Sequence, residues 1–211
     1  MKHICNIWSA VIAVVAVTVS CVLFSGCKKD EDALTNQQNG IVRFLESSHS
    51  PRLMSEEAAR ESLNENPEFY TNYGNESYRY IRTMYEAGRD SRTEIHSGDR
   101  VAIYFNAYVF NNTAITNSTM PYWSNRADVI EALEQTGGGL NPQFWSTEPL
   151  WVTAGGDDAV GGVCVSLVGC REGDEVEVYM TYAGAYGKNS IVGLVPKDAS
   201  VAWFFTIERV N

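Results

Sequence analysis

The residue types that usually carry chemistry are few in this chain and poorly spaced for it. Histidine occurs only at positions 3, 49 and 96, and the first lies in an apolar leader, which argues against a metal site built from histidines. His49 and His96 read as surface residues, and no Ser/His/Asp or Cys/His set is recognisable. Asp157 and Asp158 in "GGDDA" are adjacent acids that point apart, with too few other oxygens nearby for a cation, and they read as a solvated loop. "GAYGKNS" has the look of a phosphate-binding loop, but Tyr182 stands where the first glycine of GxxxxGK[ST] must be. No metal and no cofactor are therefore expected. What remains is "AGAYGKNSIVGLVPKDASVAWFF", residues 183–205, which sets Tyr186 between small residues ahead of a glycine-bearing loop, Pro196 and an apolar strand.

The elements that must position such a residue fit one domain of ordinary size with appendages, because 211 residues exceed a single core by only a little. A hydrophobic share of 45% is that of a globular chain. The formal charge of −10 removes nucleic acid as a partner, since phosphate binding needs a basic footprint.

The first residues set the compartment. "MKHICNIWSAVIAVVAVTVSCVLFSGC" carries one lysine, an apolar run from Ile7 to Phe24, and small residues before Cys27, the pattern of a secretory signal with a lipobox-like end. Residues 1–26 are read as a lipoprotein signal peptide and Cys27 as the lipidated residue; the rival is an uncleaved membrane helix. An acyl anchor tethers the protein to a membrane and leaves the mature chain in water. Residues 27–39, with "KKDED" and a polar run, read as the tether. The basic-then-acidic tract resembles an address to the outer face of an outer membrane, a plain spacer being the alternative, so the expected place is the outer membrane, facing the cell surface or the periplasm. Removing residues 1–26 takes away Lys2 and no acid, which lowers the charge to −11. Of the cysteines that survive, Cys164 and Cys170 are either a disulfide or two buried thiols.

Residues 40–76 read as a helical extension. Ile41, Phe44 and Leu45 share a stripe, Ser55 caps a second helix that runs to Pro67, and the tyrosine-rich sequel around Gly74 reads as a hairpin. From Ser77 the period becomes two: "DRVAIYFNAYVF", "DEVEVYMTY" and "SVAWFFTIERV" are strands of an antiparallel sheet covered on one side. "AVGGVCVSLVGC" is the short helix among them, and residues 119–149 form an insertion with a small amphipathic helix, "RADVIEALEQ", read as a flap beside the site.

The order of strand, insertion, strand, short helix, strand, long loop and strand over residues 77–211 resembles the FKBP-type peptidyl-prolyl isomerases, most clearly in "EGDEVEVYMTYAGAYGKNSIVGLVPKDASVAWFF". The fold implied is α+β, an FKBP-like curved antiparallel sheet wrapped around one short helix. The resemblance puts Tyr186 on the tyrosine that bonds the substrate carbonyl, Leu194 and Val195 on the aliphatic pair before Pro196, Trp203 and Leu150 on wall aromatics, and Val160 at the helix start. The sequence departs from the family at Phe105, where a tyrosine is usual, at Ile115 and Thr116, which replace a Phe-Asp pair, and at Val163, which replaces the tryptophan floor. These departures imply a wider, more aliphatic and less polar cavity.

Isomerisation needs no nucleophile. Its barrier of ~18–20 kcal/mol comes from amide resonance, and a dry pocket that fits the twisted bond lowers it. Two functions follow from the resemblance. One is a lipid-anchored isomerase or folding helper, weak in catalysis, acting on proline-containing peptides or unfolded exported proteins. The other is a noncatalytic FKBP-like module that binds peptide or protein at the envelope.

Overall fold

The computed structural model describes residues 30–136, 140, 145–191 and 194–211. The signal segment 1–26 and Cys27 lie outside these residues. The chain divides after Gln37 into two compact units. Residues 30–37, in the first, are helical, so the tract read as a tether is helical where it is described; Ala33, Leu34 and Gln37 favour that state. Among the described residues no helix is long and apolar enough to cross a membrane.

The second unit, Gln38–Asn211, opens with α1 (38–47) and continues through β1 (Met54–Ser55), α2 (Glu56–Arg60), β2 (Phe69–Tyr73), β3 (Ser77–Ile81), β4 (Arg100–Val109), β5 (Trp123–Ser124), α3 (Ala127–Gln135), β6 (Leu150–Thr153), α4 (Gly161–Leu167), β7 (Glu175–Met180) and β8 (Val201–Val210). The eight described strands form one sheet in the order β1-β2-β3-β7-β8-β4-β5, with β6 also paired to β4. The sheet is mixed rather than antiparallel throughout, because β1 pairs with β2 in parallel; the remaining pairs are antiparallel.

The period-two pattern has the effect it implies. Val101, Ile103, Phe105 and Ala107 of β4, Val176, Val178 and Met180 of β7, and Val201, Trp203, Phe205 and Ile207 of β8 all enter one core with Val163, Cys164 and Leu167 of α4. Gly162 allows that contact: a Cβ there would lie 2.3 Å from Ser77 Oγ and 2.6 Å from Met180 Sδ. Arg79 of β3 closes the helix end by donating from Nη1 to the carbonyls of Ser166 at 2.9 Å and Val168 at 2.7 Å, satisfying groups that a helix terminus leaves open.

The opposite face is covered too, against the expectation of a one-sided sheet. Ile41, Phe44 and Leu45 of α1 pack with Tyr78 and Tyr80 of β3, Tyr179 of β7, Ala202 of β8 and Phe110 in a second core. Most alternate residues facing α1 are aromatic or small, Tyr78, Tyr80, Tyr179 and Ala202, and offer it an apolar surface, while Glu177 of β7 lies among them and accepts from the Tyr179 hydroxyl. Gly40 brings α1 close, since a Cβ on it would meet the Asn112 side chain at 2.6 Å.

Local signals fare unevenly. Ser55 does cap α2, its hydroxyl accepting from Ala58 N at 3.2 Å, but the helix ends at Arg60 instead of reaching Pro67; Ser62 Oγ accepts from Asn64 N at 3.1 Å in a turn that competes with helix. The hairpin turns through Gly74 and Asn75, both at positive φ of about 60°. Cys164 and Cys170 are free, buried thiols. Burial pushes both thiols up, Cys170 to about 11, and Cys170 Sγ donates to Ser166 O at 3.2 Å.

Candidate functional site

The inner core collects most of the residues expected at a pocket. Phe105, Val160, Val163, Val195 and Trp203 are buried in it, and Leu150 and Tyr186 pack against it. Each is placed by regular structure: Phe105 lies opposite Phe205, and Trp203 opposite both Ala107 and Val178; Leu150 pairs with Ile103; Val160 is the N-cap of α4. Tyr186 sits in the loop after β7, where Gly187 N donates to Tyr182 O at 2.7 Å. Leu194 is 43% exposed and faces solvent, while Val195 is buried and bridges to Ile191.

Among the described residues, aromatic rings pack to contact where the sequence implied a wider cavity. Trp203 is fully buried. Phe105 stacks on it at 4.4 Å between ring centroids and 15° between planes, and Trp123 meets both edge-on, at 4.7 Å from Phe105 and 5.5 Å from Trp203. Tyr122 completes the group: Trp203 Nε1 donates to its hydroxyl oxygen at 2.8 Å, and that oxygen lies 2.9 Å from the Tyr186 hydroxyl. Burial pushes both phenols above the ordinary tyrosine range, and the bond to Tyr122 draws Tyr186 part of the way back.

Tyr122 and Trp123 come from the start of the 119–149 insertion, whose root is not a loose flap. Tyr122 N donates to Ala107 O at 2.8 Å, and β5 pairs with β4 through Ala107 and Asn106. Asn125, which is buried, then imitates a strand with its side chain: Oδ1 accepts from Phe105 N at 2.7 Å, and Nδ2 donates to Ile103 O at 2.9 Å and Glu148 O at 3.0 Å. The side-chain amide thus bridges the stretch of β4 between its pairings with β5 and β6. Sequence reasoning missed Tyr122, Trp123 and Asn125; the aromatic pair after Pro121 is the signal that was present.

Ile115 and Thr116, expected beside Tyr186, are elsewhere. The chain leaves β4 through Phe110, which is buried in the outer core, and Ile115 packs against that core as well. Thr116 sits in a turn, its N donating to Thr119 Oγ1 at 3.0 Å and its hydroxyl 2.8 Å from Ser118 Oγ. Both line a groove of about 870 Å³ with Tyr108, Met120, Leu133 and Phe204. A smaller groove of about 270 Å³ lies by Tyr104, Arg126 and Thr206.

His49, expected at the surface, is 7% exposed. Nδ1 lies 2.5 Å from Pro51 O and Nε2 2.9 Å from Glu177 Oε2, so it belongs to the packing of α1 on the sheet. His96 is exposed as expected. Asp158 is spent on its own loop, accepting from Thr153 N at 2.9 Å and Thr153 Oγ1 at 2.7 Å, bonds that lower its pKa. Among the described residues no cluster of His, Cys, Asp and Glu is suited to a metal.

No family model matches the chain, and no curated protein matches it. Among solved structures the chain is similar to the N-terminal domain of FKBP42 from Arabidopsis thaliana, at 13% identity and a TM-score of 0.40, over 64% of this chain and 87% of that one.

Proposed function

We propose that this chain is an FKBP-like module, held at the cell envelope by a lipid on Cys27, that binds peptide or protein segments without isomerising prolyl bonds. One observation carries the reading. The volume where a twisting proline would need walls is occupied by Tyr122, Trp123, Phe105 and Trp203, with Trp203 fully buried. A catalyst for this reaction must fit the twisted amide better than the planar ones, and side chains packed to contact leave no place for it. The FKBP-like part of the reading rests on the residues 77–211 resemblance and on the order β4, insertion, β6, α4, β7, loop, β8.

A protease-coupled assay on proline tetrapeptides, run beside NMR titration with the same peptides, tests the proposal. The expected result is no acceleration above background together with shifts at Tyr186. Acceleration that Tyr186→Phe abolishes would overturn it in favour of the second reading, a weak isomerase and folding helper for exported proteins, which draws on the half-buried Tyr186 at the edge of the inner core. For the anchor, labelling with an alkynyl fatty acid should mark the outer-membrane fraction of the wild type and not of Cys27→Ser.

A further inference from the structure

The insertion supplies a residue whose hydrogen bonding fixes what Tyr186 can do. Tyr122 is 7% exposed, and among the described residues its oxygen meets two groups, Trp203 Nε1 at 2.8 Å and the Tyr186 hydroxyl at 2.9 Å. An indole N–H only donates, so Tyr122 accepts there and keeps its own proton to place. If Tyr186 donated to Tyr122, the Tyr122 proton would be left buried without an acceptor, which is the costly outcome for a buried polar group. If Tyr122 donates to Tyr186, the proton left over belongs to the half-buried phenol, where water or a ligand can take it. Burial therefore sets the direction of the chain: Trp203 to Tyr122 to Tyr186, and outward. Successive bonds of one sense also polarise one another.

We propose that Tyr122 is a positioning residue that commits the Tyr186 hydroxyl to donate outward, so that the site takes ligands presenting an acceptor there, such as a peptide carbonyl, and discriminates against an amide N–H. This rests on the peptide-binding reading above. The geometry that holds Tyr122 is independent of any ligand: its backbone N–H is bonded to Ala107 O at 2.8 Å, and its ring meets that of Tyr186 at 6.3 Å and 72°. The bond from Tyr122 draws the Tyr186 pKa back from the value burial alone would give, in the sense required of an acceptor.

The test begins on the wild-type chain labelled with ¹³C at tyrosine Cζ, where the deuterium isotope shift reports the exchange of each hydroxyl proton. The Tyr122 proton should be protected and the Tyr186 proton should exchange with water; the reverse order overturns the proposal. In Tyr122→Phe, with an unchanged near-ultraviolet circular dichroism spectrum, the Tyr186 pKa should rise because its phenolate loses a donor, and a fall or no change would count against the proposal. Affinity for an acetylated, amidated Ala-Pro tetrapeptide should fall severalfold in the same variant, because the Tyr186 hydroxyl keeps its proton but loses the bond that orients and polarises it. Equal affinity for both proteins would overturn the positioning role. A wild type that fails to bind this probe, with the hydroxyl order as stated, would sink the peptide-binding reading and the ligand clause while the exchange data upheld the order of the chain.

Discussion

On the inner face of the sheet, α4 and the root of the insertion enclose aliphatic residues and a group of rings whose polar atoms bond to one another: Trp203, Tyr122 and Tyr186. On the outer face, α1 lies over a different chemistry. Tyr70, Tyr80 and Tyr179 bury their rings and donate their hydroxyls to Glu46 at 3.0 Å, Glu68 at 2.9 Å and Glu177 at 2.7 Å. Burial and the carboxylate partners push these three phenols well above their ordinary range. The inner face is closed on several sides and links Trp203, Tyr122 and Tyr186 to one another, with Arg79 Nε and Ser166 Oγ at α4 left without a partner among the described residues. The outer face is covered by one short helix, and carboxylates at its rim hold the tyrosine tips. A neutral core and a charged rim should fail differently.

Trp203→Ala should break the inner face most severely. It removes the ring that Phe105 and Trp123 pack on and leaves Tyr122 without its donor, and a tryptophan-to-alanine change in a core costs about 3–5 kcal/mol. Urea unfolding of the domain measures it. A loss below about 1 kcal/mol would mean that the ring group is not the centre of the core.

Leu45→Ala asks whether α1 belongs to the fold or merely adorns it. Leu45 is fully buried against the outer face, so the expected loss is about 3 kcal/mol, within the range for buried leucine, in one cooperative transition. Retention of wild-type stability would restore the view of residues 40–76 as an appended extension.

Asn125→Ala separates shape from satisfaction. Little volume is lost, but Phe105 N and Ile103 O lose their partner on the buried edge of β4, so the cost should be about 2 kcal/mol. Asn125→Asp should not restore it, because a carboxylate can accept from Phe105 N but cannot donate to Ile103 O. Equal stability of all three proteins would show that water replaces the amide.

The strands and α4 were legible in the sequence because their cause is local: Val101, Ile103 and Phe105 alternate with polar or small residues, and a face repeats every second residue. The stripe of Ile41, Phe44 and Leu45 was legible as well, but not what it covers, since nothing local to α1 names Tyr78 or Tyr179 as its partners. His49 failed for the same reason: its acceptor Glu177 lies 128 residues away. At the candidate site, the resemblance implied that Tyr186, Leu150, Trp203 and Thr116 lie together; the first three meet at the inner core, whereas Thr116 lines the outer groove. The chain instead runs through Phe110 to the outer core and returns at Tyr122. Tyr122 and Trp123 join the inner core that also holds Val163, an association between distant parts of the chain that is visible only in three dimensions.

The smallest expected effect is a difference in pH response between the faces. His49 presents one ring nitrogen to the Pro51 carbonyl and the other to the Glu177 carboxylate, and since both partners accept, the ring fits best with a proton on each nitrogen. Phe44 of α1, Tyr80 of β3 and Tyr179 of β7 pack against it, and Arg82 and Glu177 are the charges that face it. Burial lowers its pKa, but the bonds to Glu177 and Pro51 and the charge of Glu177 outweigh burial and Arg82, so the net shift is upward from 6.5. A folded-state pKa above the unfolded one makes the contribution complete below pH 6.5 and removes it as pH rises through the folded value. The urea midpoint of the wild type should therefore fall as pH rises above about 6.5. His49→Phe should lose that slope, whereas His96→Phe, at an exposed site, should keep it. A wild-type midpoint that rises over this window, or a slope that persists in His49→Phe, would remove His49 as the proton-sensitive contact of the outer face.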